Sequence, residues 1–243
     1  MPQLLPFRPA SGTYFREDFV SNDAVTTGLV GENDWDFTAI GGGATEAFLI
    51  TTNTVSGRPG ILRDTTAAGA GPDGTAYHMD IDAIVLDSKP GSFSTGVCIP
   101  AAAGNTLANN YARIGLDDSV TSTAPTVGIW ICITAGRVYL ETASADHGDY
   151  TGTVAGVDSL TTGHTMVLGT WYDMRVEWWG ENANGGPAQA QIFINEQPGL
   201  AIPVQCAIDN DEEMEIKIAH YCDAADTMEM DFDYYDLLIK GRG

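Results

Sequence analysis

Residues 170–195 constrain the fold more than any other stretch. Tyr172, Met174, Val176 and Trp178 alternate with Asp173, Arg175, Glu177 and Trp179, the period of two that puts apolar side chains on one side of a strand. Gly180-Glu-Asn-Ala-Asn-Gly-Gly-Pro187 follows, and its Asn184-Gly185 step suits the positive φ angles of a hairpin turn. The chain then returns through Gln191-Ile-Phe-Ile-Asn195. A long antiparallel hairpin predicts an all-β protein.

The remainder reads in the same way. Tyr14-Phe-Arg-Glu-Asp-Phe-Val20 is a first strand, and Trp35 and Phe37 share a face in the next. Further strands are expected over 48–52, 61–62, 77–86, 93–99, 111–116, 127–134, 137–142, 214–220 and 228–239, with a single helical turn over 105–110. Short strands without an amphipathic helix point to two packed antiparallel sheets. The 243 residues suffice for one large core, so a single β-sandwich domain is expected over 14–243. Residues 1–13 carry three prolines and no periodicity, which predicts an extended N-terminal arm. Its apolar Leu4, Leu5 and Phe7 are the expected interface residues, packed on this domain or on a neighbour.

Charge limits the partners. With 33 acidic against 11 basic residues, the formal net charge is −22, and such a surface repels phosphate backbones. Nucleic acid is excluded as an expected partner. No apolar run reaches the roughly 20 residues of a membrane-spanning helix, and the N-terminus lacks the basic and apolar regions of a secretory signal. Cys98, Cys132, Cys206 and Cys222 have no CxxC spacing and mostly sit in apolar runs, so free buried thiols are favoured over disulfides.

Few residues suggest chemistry. His78, His147, His164 and His220 have no metal-ligand spacing, and Gly41-Gly-Gly43 has no phosphate-loop context. Asp209-Asn-Asp-Glu-Glu213 offers oxygen ligands of the kind Ca²⁺ prefers but lacks the glycine of an EF-hand; a solvated turn is the favoured reading. Trp178, Trp179 and Tyr221 are the candidate sugar-stacking aromatics, although adjacent tryptophans on a strand face opposite ways. No metal site and no cofactor are expected.

Gly57-Arg-Pro-Gly-Ile-Leu-Arg-Asp-Thr65, Tyr111-Ala-Arg-Ile-Gly-Leu-Asp-Asp118, Gly169-Thr-Trp171, Phe193-Ile-Asn195, Ile202-Pro203 and Met230-Asp-Phe-Asp-Tyr-Tyr-Asp236, taken together, resemble a group of bacteriophage virion proteins. That group has a concanavalin A-like, lectin/glucanase-type jelly roll. The resemblance implies a non-enzymatic virion protein that decorates the capsid, self-associates as a trimer and has the major capsid protein or another virion protein as partner. A receptor-binding fibre component that recognises glycan is the alternative it leaves open. A third reading is a glycosidase. Glu229, Asp231 and Asp233 would project together from one strand, and they look like the Glu-x-Asp-x-Glu signature of glucanases with this fold. Against it, the third acid is Asp, the motif lies in the last strand, and inward Met228, Met230, Phe232 and Tyr234 already require polar residues outward. No catalytic residue is expected.

Overall fold

The computed structural model describes residues 12–19, 35–41, 49–50, 58, 60–66, 72–118, 125–144, 165–198, 203–206, 208–222 and 227–240. These residues contain fifteen strands and no helix. In chain order they are β1 (Gly12–Glu17), β2 (Asp36–Ile40), β3 (Leu49–Ile50), β4 (Leu62–Thr65), β5 (Asp73–Ile84), β6 (Gly91–Cys98), β7 (Asn110–Asp117) and β8 (Gly128–Thr134). There follow β9 (Arg137–Ala143), β10 (Trp171–Trp179), β11 (Gln189–Ile194), β12 (Gln197–Pro198), β13 (Val204–Gln205), β14 (Met214–Cys222) and β15 (Glu229–Lys240).

They form two antiparallel sheets, the concanavalin A-like jelly-roll sandwich expected from the sequence. The larger is nine-stranded, in the order β12-β11-β10-β6-β15-β4-β3, with β1 on β15 and β13 on β11. The smaller is six-stranded, in the order β2-β5-β14-β7-β8-β9. One apolar core lies between them. Tyr172, Met174, Val176 and Trp178 of β10 enter it as their alternation predicts, opposite Ile114, Leu116, Ile129, Ile131, Ile216 and Ile218 of the smaller sheet. Trp35 and Phe37 also face the core together.

Turn chemistry sets several connections. Ala135 and Gly136 both have positive φ, at 52° and 73°, so the β8–β9 hairpin uses a two-residue primed turn that matches strand twist. In the β10–β11 connection Gly185 has positive φ, 83°, and Asn184 does not. That loop is organised by Asn182 instead: its Oδ1 accepts from the amides of Asn184 and Gly186, and its Nδ2 donates to Pro187 and Ile208.

Three local expectations are corrected. The first strand begins at Gly12, inside the expected arm, because Gly12 and Thr13 pair with Lys240 and Ile239; it stops at Glu17, whose carboxylate accepts the amide of Phe19, a residue at φ 49°. Residues 105–110 form hydrogen-bonded turns rather than a helical turn, with Asn105 N donating to Ala102 O and Asn110 N to Leu107 O. Tyr234 faces outward, and Tyr235 takes the core position. The cause is a bulge: residues 232 to 235 of β15 lie opposite only 97 to 95 of β6, and the extra residue reverses the alternation. Leu4, Leu5 and Phe7 lie outside the described residues.

Candidate functional site

The sandwich has two outer faces, and they differ in how their charges are paired. On the nine-stranded sheet every arginine described is matched by carboxylates. Arg58 binds Asp233 and, at 3.0 Å, Asp173. Arg63 makes a two-pronged contact with Asp231, 2.6 and 2.8 Å, with Glu229 at 3.7 Å. Arg175 joins Glu177 and Glu196, and Arg16 joins Asp18 and Asp236. Arg58 and Arg175 also lie 4.4 Å over the rings of Trp171 and Phe193, so those two aromatic surfaces are capped by cations.

This is the face that carries Glu229, Asp231 and Asp233. Burial lifts the Asp233 carboxyl above the usual range, with Arg58 acting in the opposite direction. Asp231 is fixed by Arg63, and Asp233 by Arg58. The three acids form part of an ion-pair lattice, and no pair of them is left free to act as nucleophile and acid.

The outer face of the six-stranded sheet is built differently. Strand register places Ala76, Ala219, Arg113, Cys132 and Tyr139 in one row across β5, β14, β7, β8 and β9. Tyr221 and Tyr111 are directly paired one step along, and their rings stack with centroids 5.5 Å apart and planes at 11°. Two residues the other way from Arg113, Gly115 lies between Lys217 and Trp130. It has to be glycine, because a Cβ there would come 2.3 Å from the Ile129 carbonyl oxygen and 2.7 Å from Trp130 Cα. Arg113 thus stands among small neighbours, between a tyrosine pair and a tryptophan.

Several charged groups on this face have partners. Lys217 Nζ lies 3.0 Å from Asp117 Oδ1 with both side chains buried. Trp130 Nε1 donates to Glu141 at 2.7 Å. His78 shares a hydrogen bond with Thr38, 3.0 Å, and faces Glu215 at 3.4 Å. Arg113 is half-buried, 6.0 Å from the Trp130 ring, and its Nε and Nη1 are buried with no acceptor among the described residues. Buried donors without acceptors cost about 1–3 kcal/mol each. Tyr221 beside it is pushed up to about 12, burial being the main cause and the Arg113 charge a partial offset, so its phenol keeps its proton at neutral pH.

The sequence candidates are therefore dispersed. Trp178 is in the core, Trp179 lies on the nine-stranded side with Nε1 donating to Gln189, and Tyr221 is on the opposite side of the sandwich. Tyr111, Arg113 and Trp130 join Tyr221 instead. Their signal was the alternation of Tyr111-Ala-Arg-Ile-Gly-Leu116, which puts Tyr111 and Arg113 on the side away from Ala112, Ile114 and Leu116.

Within Asp209-Asn-Asp-Glu-Glu213, Glu212 is buried and accepts from Asp209 N and Ser144 Oγ, both at 2.8 Å. It holds a turn. Among the described residues no group of three or more His, Cys, Asp or Glu side chains is arranged to hold a metal ion. The four cysteines are free and buried. His220 is a core residue, and His147 and His164 lie outside the described residues.

No family model matches the chain, and no curated protein is similar to it in sequence. Solved structures share its fold. A protein of unknown function from Shewanella oneidensis MR-1 is similar at TM-score 0.63 and 12% identity, over 98% of this chain and 92% of that one. An endo-β-1,4-glucuronan lyase from the fungus Trichoderma reesei follows at TM-score 0.58 and 11% identity, over 94% and 95%. The carbohydrate recognition domain of Emp47p is similar at TM-score 0.55 and 9% identity, over 90% and 94%. At such identities the likeness establishes the sandwich. The expected capsid-decoration role receives no support from it, and because a lyase shares the fold, the fold gives no ground for an expected absence of enzymatic activity.

Proposed function

We propose that the protein binds carbohydrate on the outer face of its six-stranded sheet. The observation that carries this reading is the stacked, half-buried Tyr111–Tyr221 pair beside the half-buried Arg113, an aromatic surface next to a cationic group, with Trp130 buried beyond it. Aromatic faces accept the apolar faces of sugar rings, and a few placed polar groups fix orientation. The opposite face is less suited, since arginines cover its Trp171 and Phe193 rings and carboxylates neutralise those arginines. The fold shared with a carbohydrate recognition domain and a glucuronan lyase supports the same reading.

Binding is favoured over catalysis. A tyrosine that removes a proton from substrate needs a pKa near the working pH, and Tyr221 is displaced in the other direction, up to about 12. In a virion, a module of this kind would serve as a receptor-binding component that recognises host glycan.

The test is a glycan microarray followed by titration. The wild-type protein is expected to retain a defined set of glycans, and Tyr111→Ala/Tyr221→Ala to bind them at least tenfold more weakly, since stacking on aromatics contributes about 0.5–1.5 kcal/mol per pair beyond burial. The reading fails if the wild type retains no glycan or if the double variant binds as tightly.

A further inference from the structure

We propose a second sugar subsite, on the outer face of the nine-stranded sheet, where Trp179 holds an uncharged sugar ring and the carboxamides of Gln189 and Gln205 hold its hydroxyl groups. It stands on other residues than the Tyr111–Tyr221 face. The chain has five tryptophans. Trp35, Trp130 and Trp178 are buried, and Trp171 lies under Arg58. Trp179 is only partly buried, and among the described residues no cation lies over its ring. It closes β10 beyond the start of β6, which begins at Gly91 opposite Trp178, so no residue of that strand stands beside it. An aromatic ring left open in this way accepts the apolar face of a sugar.

Its neighbours on the other side supply the polar groups. Trp179 is directly opposite Gln189, and Gln189 is directly opposite Gln205. The three therefore share one side of the sheet, in a row across β10, β11 and β13 that is roughly 10 Å long at the usual strand spacing. Both glutamines are exposed. Trp179 Nε1 can only donate, and it meets Gln189 Oε1 at 3.1 Å; that bond fixes which way the Gln189 amide is turned, with Nε2 as its donor end. β13 is anchored by Thr142 Oγ1, which donates to Gln205 O, and by Cys206 N, which donates to Ala188 O. Carboxamides donate and accept, as sugar hydroxyls do, whereas an arginine or lysine would select an anion. The nearby charges already have partners, Arg175 in Glu177 and Glu196 and Lys89 in Asp87, and Lys240 stands two strands across, on β15.

The experiment titrates the full-length protein with neutral gluco-, manno- and galacto-oligosaccharides while tryptophan fluorescence is followed. At least one series is expected to bind and to shift the emission. Trp179→Ala should bind it about tenfold more weakly, and Trp179→Phe, which keeps a ring, should recover most of that loss. Gln189→Leu, which removes the placed amide, should also weaken binding. Glycans whose retention depends on Tyr111 and Tyr221 should bind Trp179→Ala as tightly as the wild type. A second measurement needs no substitution: N-bromosuccinimide should oxidise Trp179 ahead of the three buried tryptophans, and saturating oligosaccharide should slow that oxidation several-fold. The proposal is overturned if no neutral oligosaccharide binds, if Trp179→Ala binds as tightly as the wild type, or if oligosaccharide leaves the oxidation of Trp179 unchanged. A loss of neutral-sugar binding that follows Tyr111→Ala/Tyr221→Ala and not Trp179→Ala overturns this subsite while the reading of the six-stranded face stands. The converse pattern supports the subsite and counts against that reading alone.

Discussion

Replacing Asp64 with alanine is expected to lower the stability of the protein by about 2–5 kcal/mol, because it removes the carboxylate partner of two buried polar groups at about 1–3 kcal/mol each. Asp64 sits on β4 with no exposed surface. Its Oδ1 accepts from the Tyr77 hydroxyl and its Oδ2 faces His220 Nδ1, both at 2.6 Å. On the other side of the ring, His220 Nε2 meets Asn110 Oδ1 at 2.8 Å.

The direction of that last bond is fixed by the residues beyond it. Asn105 Nδ2 points at the carbonyls of Pro100 and Glu229 and must donate, so Asn105 Oδ1 accepts. Asn110 Nδ2 donates to that oxygen and to Thr106 O, which leaves Asn110 Oδ1 as an acceptor and His220 Nε2 as a donor. β4 belongs to the nine-stranded sheet, and β5, β7 and β14 to the six-stranded one, so the network ties the two layers together.

Asp64→Ala strands the Tyr77 hydroxyl and the His220 ring at once. Urea unfolding should show a lower midpoint at an unchanged slope. Asp64→Val combined with Tyr77→Phe and His220→Leu should be less damaging than the sum of the three single changes, because the polar groups then leave together. A loss below about 1 kcal/mol for Asp64→Ala would mean that the network contributes little beyond an ordinary hydrogen bond.

That network shows where sequence reading stops. Alternation in Met214-Glu-Ile-Lys-Ile-Ala-His220 does place His220 on the side of Met214, Ile216 and Ile218, and all four are buried. Nothing local says that its partner is Asp64, which is 156 positions away, because strand adjacency follows from sheet topology rather than from periodicity. The sandwich was legible because alternation and glycine turns are local properties, as β10 and the Ala135–Gly136 turn illustrate.

The candidate site was not legible, for the same reason. Tyr111 and Arg113 lie on β7, Trp130 on β8 and Tyr221 on β14, and only the antiparallel register makes them neighbours. The acids that looked most chemical in sequence, Glu229, Asp231 and Asp233, lose that character once Arg58 and Arg63 are brought onto them from distant parts of the chain.

Tyr234 and Tyr235 give the sharpest test of a feature that periodicity misreads. Without a bulge Tyr234 would enter the core and Tyr235 would face solvent. The structure reverses them: Tyr235 is fully buried, stacks on Phe93 with ring centroids 5.9 Å apart, meets Trp35 edge-on at 5.8 Å, and donates to Gly115 O of the opposite sheet at 3.1 Å. Tyr235→Ala is therefore expected to cost about 3–5 kcal/mol, as for other large aromatics removed from a packed core. Tyr234 lies outside above Gly96, where an added Cβ would approach its ring to 3.3 Å, and Tyr234→Ala should cost about 1 kcal/mol or less. Denaturant unfolding of the two variants side by side decides the matter. A larger loss for Tyr234→Ala than for Tyr235→Ala would remove the bulge.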